Sequence, residues 1–121
     1  MLWAELETGE KIFGESLIGK STKPISRIGC LPENPSALPT ALDAIKEADL
    51  IILGPGSLYT SLLPNLLVPE IVESLLKSDA PKIYISNLMT QPGETDGLDV
   101  YQHIKSIEKQ LSSFGVNSRI F

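Results

Sequence analysis

The hydrophobic positions of the chain change their period several times, and each change predicts a new element. Residues 3–13, WAELETGEKIF, alternate between apolar and polar around Thr8-Gly9, which predicts a β-hairpin. Residues 25–31, ISRIGCL, predict a further short strand. The stretch PENPSALP that follows is rich in proline and predicts a turn-rich connection before the next element.

Beyond that connection, helical and strand-like patterns alternate. Helices are predicted over residues 39–48, 69–78 and 99–114, with the first two beginning at a proline, which suits the first helical position. Strands are predicted over residues 50–53, 82–88 and 116–121. One or two helical turns are predicted over residues 57–63, ended by Pro64.

This order of elements predicts an α/β fold. Strands that alternate with helices favour right-handed crossovers and a parallel sheet covered by helices, here preceded by the β-hairpin. The strand LIIL shows no polar alternation, which predicts that both of its faces are buried. The last predicted strand would be an unprotected edge, so we expect the chain to be part of a longer domain.

Composition and charge restrict the classes of function. The 121 residues are 42% hydrophobic and 21% charged, as in ordinary globular domains, and their formal charge of −5 argues against nucleic acids and anionic membranes as partners. No apolar run approaches the roughly 20 residues that cross a bilayer, and the N-terminus does not resemble a signal peptide. A single cysteine, Cys30, fits a reducing cytoplasm and is predicted to be buried. We therefore expect one cytoplasmic domain.

The loop that follows LIIL contains groups that suit an anion. Gly54 and Gly56 lack Cβ atoms, so backbone amides could approach a ligand closely, and Ser57, Thr60 and Ser61 could donate hydroxyls beside a helix N-terminus. A plain strand-to-helix turn with Ser57 as its N-cap is an equally good interpretation of the residues alone. The loop is not a Walker loop, because no lysine follows the second glycine.

A second polar loop follows the strand KIYISNL. If the two strands are neighbours, both loops lie at the carboxyl ends of parallel strands, where such sheets bind ligands. The second loop could bind the hydroxyls and amides of a sugar or base, and its acids Glu94 and Asp96 could hold Mg²⁺. The alternative is a solvated turn, since Pro92-Gly93 fits a type II turn.

His103 is the only histidine of the chain, near the start of the last predicted helix. It lies one step off the apolar stripe of that helix, and no serine or cysteine nucleophile motif accompanies it. A half-buried surface position is therefore predicted in preference to a general base.

Both loops belong to long motifs that resemble a known family. GPGSLYTSLLPNLLVPEI, followed by IYISNLMTQPGETDG, resembles the gluconeogenesis factor family, the YvcK-like branch of the CofD superfamily. The segments ELETGEKIFGES and ADLIILGPGS are also similar to that family. The resemblance covers most of the chain, and two long motifs in the right order make it specific.

The resemblance implies a partial Rossmann-like, three-layer unit with parallel strands. It implies a cytoplasmic regulatory protein that binds a nucleotide sugar such as UDP-N-acetylglucosamine and supports cell shape and cell-wall growth. A first alternative is a CofD-type transferase, which would move a phospholactyl group to a deazaflavin with magnesium. The corresponding loop of those enzymes looks more like GPSNP, so Gly56-Ser57 favours the non-enzymatic branch. A second alternative is a truncated, non-binding interaction module, with a homodimer as a possible assembly.

Three departures from the family pattern stand out. Leu98 replaces the usual aromatic residue after GETDG, and Gln102 replaces the aspartate that commonly precedes the helix histidine. Family members also carry an N-terminal strand and glycine-rich loop that contact the nucleotide, and the chain shows nothing similar. Residues 1–121 are therefore expected to form the C-terminal part of a single domain whose glycine-rich half is absent.

The resulting site prediction draws on both loops. The first loop would meet the phosphates of the nucleotide sugar, and the second would meet its sugar or base. No catalytic residue, firm cofactor or metal ligand is assigned, and magnesium enters only with the transferase alternative. The predicted ligand-binding residues are Gly54, Pro55, Gly56, Ser57, Thr60, Asn87, Thr90, Gln91, Gly93, Glu94, Thr95 and Asp96.

Overall fold

The computed structural model describes residues 1–90, 95, 97–113, 115 and 120. The described strands are β1 (Leu2–Leu6), β2 (Lys11–Phe13), β3 (Ile25–Cys30), β4 (Ile51–Leu53) and β5 (Lys82–Tyr84). The described α-helices are α1 (Glu15–Ile18), α2 (Pro39–Glu47), α3 (Pro69–Lys77) and α4 (Val100–Ser112). Between β4 and α3 the chain forms a π-helical segment, Leu58–Leu62, and a 3-10 helix, Leu63–Leu67. The predicted mixed α/β fold is confirmed.

The first sheet is antiparallel, with strand order β2-β1-β3. Strand β1 pairs with β2 in the predicted hairpin, which is confirmed, and Trp3 lies opposite Phe13. On its other side β1 pairs with β3, which places Gly29 opposite Trp3. A Cβ atom at Gly29 would collide with the indole of Trp3, so the glycine lets this ring lie flat across the sheet. The strand–helix order alone does not reveal this pairing of β3.

The second sheet is the predicted parallel pair, β4 beside β5, in which Ile51 lies opposite Lys82 and Leu53 opposite Tyr84. Both strands are three residues long, shorter than predicted. The expectation that both faces are buried is wrong for the described residues, because Ile52 is 52% exposed and Ile83 is 46% exposed. Among these residues, the packed core covers the face that carries Ile51 and Leu53.

The 3-10 helix lies at the centre of the hydrophobic core. It contacts β3, α3 and α4, so it joins the antiparallel sheet to the helical part of the fold. Its Leu63 and Leu66 are each 1% exposed. The prediction that Pro64 ends the helical turns is wrong: the chain continues as a 3-10 helix, with Pro64 in its first turn, where no N–H partner is needed.

The longer helices begin where local signals placed them. Helices α2 and α3 start at Pro39 and Pro69 as predicted, and each ends one residue earlier than expected. Helix α4 starts after Asp99, which forms a capping box with Gln102: the Gln102 backbone N–H donates to Asp99 Oδ1, and the Asp99 N–H donates to Gln102 Oε1, both at 2.8 Å. Gln102, which departs from the family pattern, thus helps to cap α4.

Three further predictions concern the last strand, the burial of Cys30 and the absence of a membrane-spanning helix. The predicted strand 116–121 lies outside the described residues except for Ile120, which packs against the core. Cys30 is half-buried, not fully buried as predicted, and its thiol donates to the Pro32 carbonyl at 3.4 Å. Over the described ranges, no helix has the length and apolar character needed to cross a bilayer.

Candidate functional site

The two predicted loops meet at the carboxyl ends of β4 and β5. The side-chain amide of Asn87 joins them by holding both polar groups of Gly56: the Gly56 N–H donates to Asn87 Oδ1 at 2.9 Å, and Asn87 Nδ2 donates to the Gly56 carbonyl at 2.8 Å. Asn87 therefore acts like one residue of a strand added beside Gly56. The convergence of the loops, expected if the two strands were neighbours, is present in the structure.

Gly54 was expected to let a ligand approach the backbone, but in the structure it makes room for a neighbouring strand. Its φ of +95° is a conformation that glycine adopts readily, and a Cβ atom at this position would lie well inside contact distance of the Ile85 carbonyl oxygen. The Ile85 N–H donates to the Leu53 carbonyl at 2.9 Å, which extends the parallel ladder past β5. The missing Cβ of Gly54 thus makes room for the neighbouring backbone.

The residues after Gly56 form a compact turn. Thr60 Oγ1 donates to Ser57 Oγ at 2.6 Å, and the Ser57 carbonyl accepts from the N–H groups of Ser61 and Leu62. The bond from Leu62 is a π-helical one, so the segment begins with a widened turn in place of a regular α-helical start. Ser57 precedes this segment but makes no side-chain capping bond to its backbone. Ser57 and Thr60 form a hydroxyl pair beside the clamped glycine.

The second loop is described in part. Leu88 and Met89 project into solvent, with exposed fractions of 102% and 80%, and Thr90 is exposed as well. Thr95 is fully buried, and its carbonyl accepts from the Leu98 N–H at 3.0 Å. Four predicted site residues lie outside the described residues, and their ligand contacts stay predictions: Gln91, Gly93, Glu94 and Asp96.

Two observations bear on the charge of the site: the state of the Tyr84 phenol and the side chains that could hold a metal ion. Burial raises the pKa of Tyr84 above its ordinary value, against a smaller opposing effect of its hydrogen bond with Ser86, so this phenol is neutral at physiological pH. Within the described part of the chain, no group of three or more histidine, cysteine, aspartate or glutamate side chains could hold a metal ion. Both backbone polar groups of Gly56, which were expected to approach a ligand, are paired with Asn87.

His103 is a residue whose burial the sequence interpretation underestimated. It is 4% exposed, and it shares the inner face of α4 with three other buried residues: Ile107, Gln110 and Leu111. The predicted half-buried surface position is therefore wrong. The spacing of four between His103, Ile107 and Leu111 is the signal that could have found it.

Replacement of Asn87 should measure how strongly the two loops are joined. Asn87→Leu removes both bonds to Gly56 and leaves a partly buried N–H and carbonyl without this partner. We expect a loss of about 2 kcal/mol in the free energy of unfolding, since an unpaired buried polar group costs about 1–3 kcal/mol. Urea unfolding followed by circular dichroism measures it.

Asn65 provides the matched control for this replacement. Its Nδ2 donates to the Ser61 carbonyl at 2.8 Å from an exposed position, so Asn65→Leu should change the unfolding free energy by less than about 1 kcal/mol. Asn87→Asp keeps the acceptor for the Gly56 N–H and should fall between the two. Equal effects of Asn87→Leu and Asn65→Leu would show that the clamp does not stabilise the site.

Comparison with protein families identifies a relationship over nearly the whole chain. The family model described as 2-phospho-L-lactate transferase CofD matches residues 1–120. A curated relative from Nostoc sp. is 60% identical over 107 residues, which cover 88% of this chain and 24% of the relative. The protein named gluconeogenesis factor of Listeria monocytogenes is 51% identical over 92% of this chain and 34% of its own length.

A solved structure shows the same relationship. A crystal structure of a UPF0052 family member from Bacillus halodurans superimposes with a TM-score of 0.86 at 48% sequence identity, covering 91% of this chain and 36% of that protein. The chain spans about a quarter to a third of the length of the curated relatives it matches. The match over residues 1–120 and the shared fold lead to one conclusion: the chain belongs to the CofD family.

Proposed function

We propose that this chain supplies part of a binding site for a nucleotide sugar of the UDP-N-acetylglucosamine kind. The observation that carries the proposal is the Asn87 clamp on Gly56, which holds two polar loops together at the carboxyl ends of β4 and β5. Ligands of open parallel sheets bind at that edge. In this site Gly54 and Asn87 position the loops, and Ser57, Thr60 and Thr90 face the ligand.

The distribution of charge supports a division of the ligand between the loops. No lysine or arginine lies between Lys46 and Lys77 or between Lys82 and Lys105, whereas the second loop carries several acids. A phosphate close to one of these acids would be repelled by about 4 kcal/mol at an effective dielectric near 20. The phosphates therefore lie toward the first loop, and the acids accept hydrogen bonds from sugar hydroxyls.

The proposed role of the whole protein is regulatory. Binding of a nucleotide sugar by a cytoplasmic protein of this family would report the supply of cell-wall precursor, and it would link growth on gluconeogenic carbon sources to cell shape. Curated relatives named gluconeogenesis factor support this role, and the chain spans about a third of the length of these relatives.

The description of the family model favours one second candidate, a CofD-type transferase. That activity would use magnesium to neutralise the phosphates, with Glu94 and Asp96 as its ligands. The two functions differ in one measurable way, because a binding site of the proposed kind does not depend on a divalent cation.

We expect UDP-N-acetylglucosamine to stabilise a full-length homologue against thermal unfolding. A hundredfold excess over the dissociation constant should raise the free energy of unfolding by about 2.7 kcal/mol, because the ligand binds the folded state only. The 121-residue chain should show a smaller shift, since part of the site lies outside it. Thermal melting of both proteins with and without the ligand measures the difference.

Two controls make this experiment decisive. Uridine diphosphate alone should give a smaller shift than the nucleotide sugar, because it lacks the sugar hydroxyls. Addition of a chelator should leave the affinity unchanged; loss of affinity in chelator would contradict the binding role and favour the magnesium-dependent transferase. No shift with either ligand in the full-length homologue would overturn the proposal.

A further inference from the structure

A cavity of about 640 Å³ lies between β3 and α4, outside the candidate site. None of the described residues that are predicted to bind the nucleotide sugar lines it. Exposed residues at its margin, among them Thr22, Lys109 and Ser112, open it to solvent, so a ligand can enter from the surface. The buried part of its wall includes Ile25 and Leu63. Its volume is in the range of sites that bind small ligands.

Gln110 presents a buried side-chain amide to this cavity. The residue is 8% exposed and lines the cavity from α4. Over the described part of the chain, the hydrogen bonds of Gln110 use its backbone, as when its carbonyl accepts from Ser113 Oγ at 2.6 Å, and none joins its amide to the protein. The amide is within reach of a ligand, because His103 Nε2 is the only fully enclosed side-chain nitrogen or oxygen without a partner among the described residues. A buried polar group without a partner at the wall of a cavity indicates a ligand contact.

The opposite side of the cavity is formed by residues 24–28, which include the first part of β3. In the described chain β3 is an edge strand that pairs with β1 alone. The Leu31 N–H donates to the Met1 carbonyl at 2.8 Å, and the Glu7 N–H donates to the Pro24 carbonyl at 3.1 Å. Odd-numbered residues of β1 therefore bond to β3, because the residues that exchange hydrogen bonds alternate along an antiparallel pair.

This alternation gives Ile28 two backbone groups on the free edge. Its neighbours Arg27 and Gly29 lie opposite odd-numbered residues of β1 and bond to them, so Ile28 directs its N–H and C=O the other way. Ile28 lines the cavity and is 4% exposed, and in the described chain its backbone has no hydrogen bond on that edge. The Ser26 carbonyl accepts from Lys109 Nζ at 3.4 Å, a long bond that marks one end of the open stretch. Buried backbone groups without partners are rare, so this edge is suited to a further strand.

The candidate site shows how a side-chain amide of this kind is satisfied. Asn87 pairs with both polar groups of Gly56, its Oδ1 accepting from the N–H and its Nδ2 donating to the carbonyl. Gln110 carries the same amide on a side chain that is one methylene longer. It can therefore pair in the same way with the N–H and C=O of one residue of an extended peptide.

We propose that the cavity between β3 and α4 binds an extended peptide segment of a partner protein, which adds to the edge of β3 and is held on its other side by Gln110. Successive residues of an extended chain direct their N–H and C=O groups to opposite sides. One residue of the segment bonds to the backbone of Ile28, and the next bonds to the amide of Gln110. Main-chain bonds of this kind supply affinity, and the apolar wall selects an apolar side chain at alternate positions. This site is separate from the proposed nucleotide-sugar site.

A capped pentapeptide that alternates threonine and valine is the probe, because these residues favour an extended backbone and the blocked ends represent a segment within a chain. In heteronuclear NMR of the 121-residue chain, millimolar peptide should shift the backbone amide of Ile28 and the side-chain amide of Gln110. The backbone amides of Ser57 and Thr60, in the other site, should not move. The Gln110 signal is identified by its absence from the spectrum of Gln110→Met.

The same peptide with both valine nitrogens methylated is the matched control. It keeps the side chains and loses the donors that one edge of the added strand requires, so it should cause no shift. Equal shifts with both peptides would overturn the proposal, because recognition would then not use the main chain. Shifts confined to Ser57 and Thr60, or no shift with the unmodified peptide, would also overturn it and leave the cavity to solvent.

Hydrogen exchange gives a second readout that depends on the strand edge. The peptide should slow exchange at the Ile28 amide more than at the amides of Arg27 and Gly29, which bond to β1 whether or not the peptide is bound. An equal effect on all three amides would show general stabilisation of the fold and contradict strand addition.

Gln110→Met keeps the length of the side chain without its amide. It should weaken peptide binding about three- to tenfold, the equivalent of one neutral hydrogen bond. Tyr101→Leu, at a 65% exposed position of the same helix, should leave binding unchanged. The melting temperature of unliganded Gln110→Met should change by less than about 3 °C, since the lost amide has no protein partner. Unchanged binding by Gln110→Met would overturn the proposal as stated, and the methylated peptide tests strand addition whether or not this variant folds.

Discussion

Gly54→Ala should destabilise the protein by about 4 kcal/mol, the largest effect we expect from adding one methyl group. Two costs add at this position. The φ of +95° strains a residue other than glycine by about 1–3 kcal/mol. The new Cβ atom would also collide with the Ile85 carbonyl oxygen, and overpacking of this kind costs about 1–3 kcal/mol. Since the obstacle is backbone of the paired strand, it cannot rotate away.

Urea unfolding of three alanine variants separates the two costs. Gly9→Ala has a similar φ of +88° and no atom within 4 Å of the added Cβ, so it should lose only about 1–2 kcal/mol. Gly56→Ala has an ordinary φ and meets Leu62 Cδ2 at 3.3 Å, the end of a side chain that can move, so it should lose less than about 1 kcal/mol. An effect of Gly54→Ala no larger than that of Gly9→Ala would contradict the close approach of Ile85.

Leu66→Ala should cost about 2–5 kcal/mol in the free energy of unfolding. Leu66 is 1% exposed and belongs to the 3-10 helix that contacts β3, α3 and α4, so its truncation removes buried contacts from the element that joins them. It also lines an apolar cavity of about 340 Å³ beside α2 and β4, which the truncation would enlarge. Thermal and urea unfolding followed by circular dichroism measure the loss.

Leu88 is the matched control for Leu66, because it is the same residue type in the opposite environment. Its side chain is fully exposed beside the candidate site, so Leu88→Ala should change the unfolding free energy by less than about 0.5 kcal/mol. A small effect of Leu66→Ala would show that the 3-10 helix does not hold the core together. A large effect of Leu88→Ala would show that this residue is packed in solution.

The features that were predictable from the sequence are those that depend on near neighbours in the chain. The hairpin followed from alternation around Thr8-Gly9, and α2 and α3 followed from an amphipathic period that begins at Pro39 and Pro69. The parallel pairing of β4 and β5 followed from the helix between them, since connection rules restrict how such strands can join. The family was predictable because two long motifs occur in the chain in the order that is typical of it.

Other features were decided by partners distant in the chain. Asn87 holds Gly56 from 31 residues away, and Gly54 needs its missing Cβ because the Ile85 carbonyl approaches it. The period of α4 could indicate that His103 is buried, but not that its Nδ1 lies 2.7 Å from the Asp99 carbonyl oxygen. An apolar run shows that a strand can be buried, whereas its exposure depends on which elements are present to cover it, and Ile52 is left 52% exposed. The local pattern determined most of the elements and the family, and tertiary packing determined which side chains are buried and how the polar groups of Gly56 are paired.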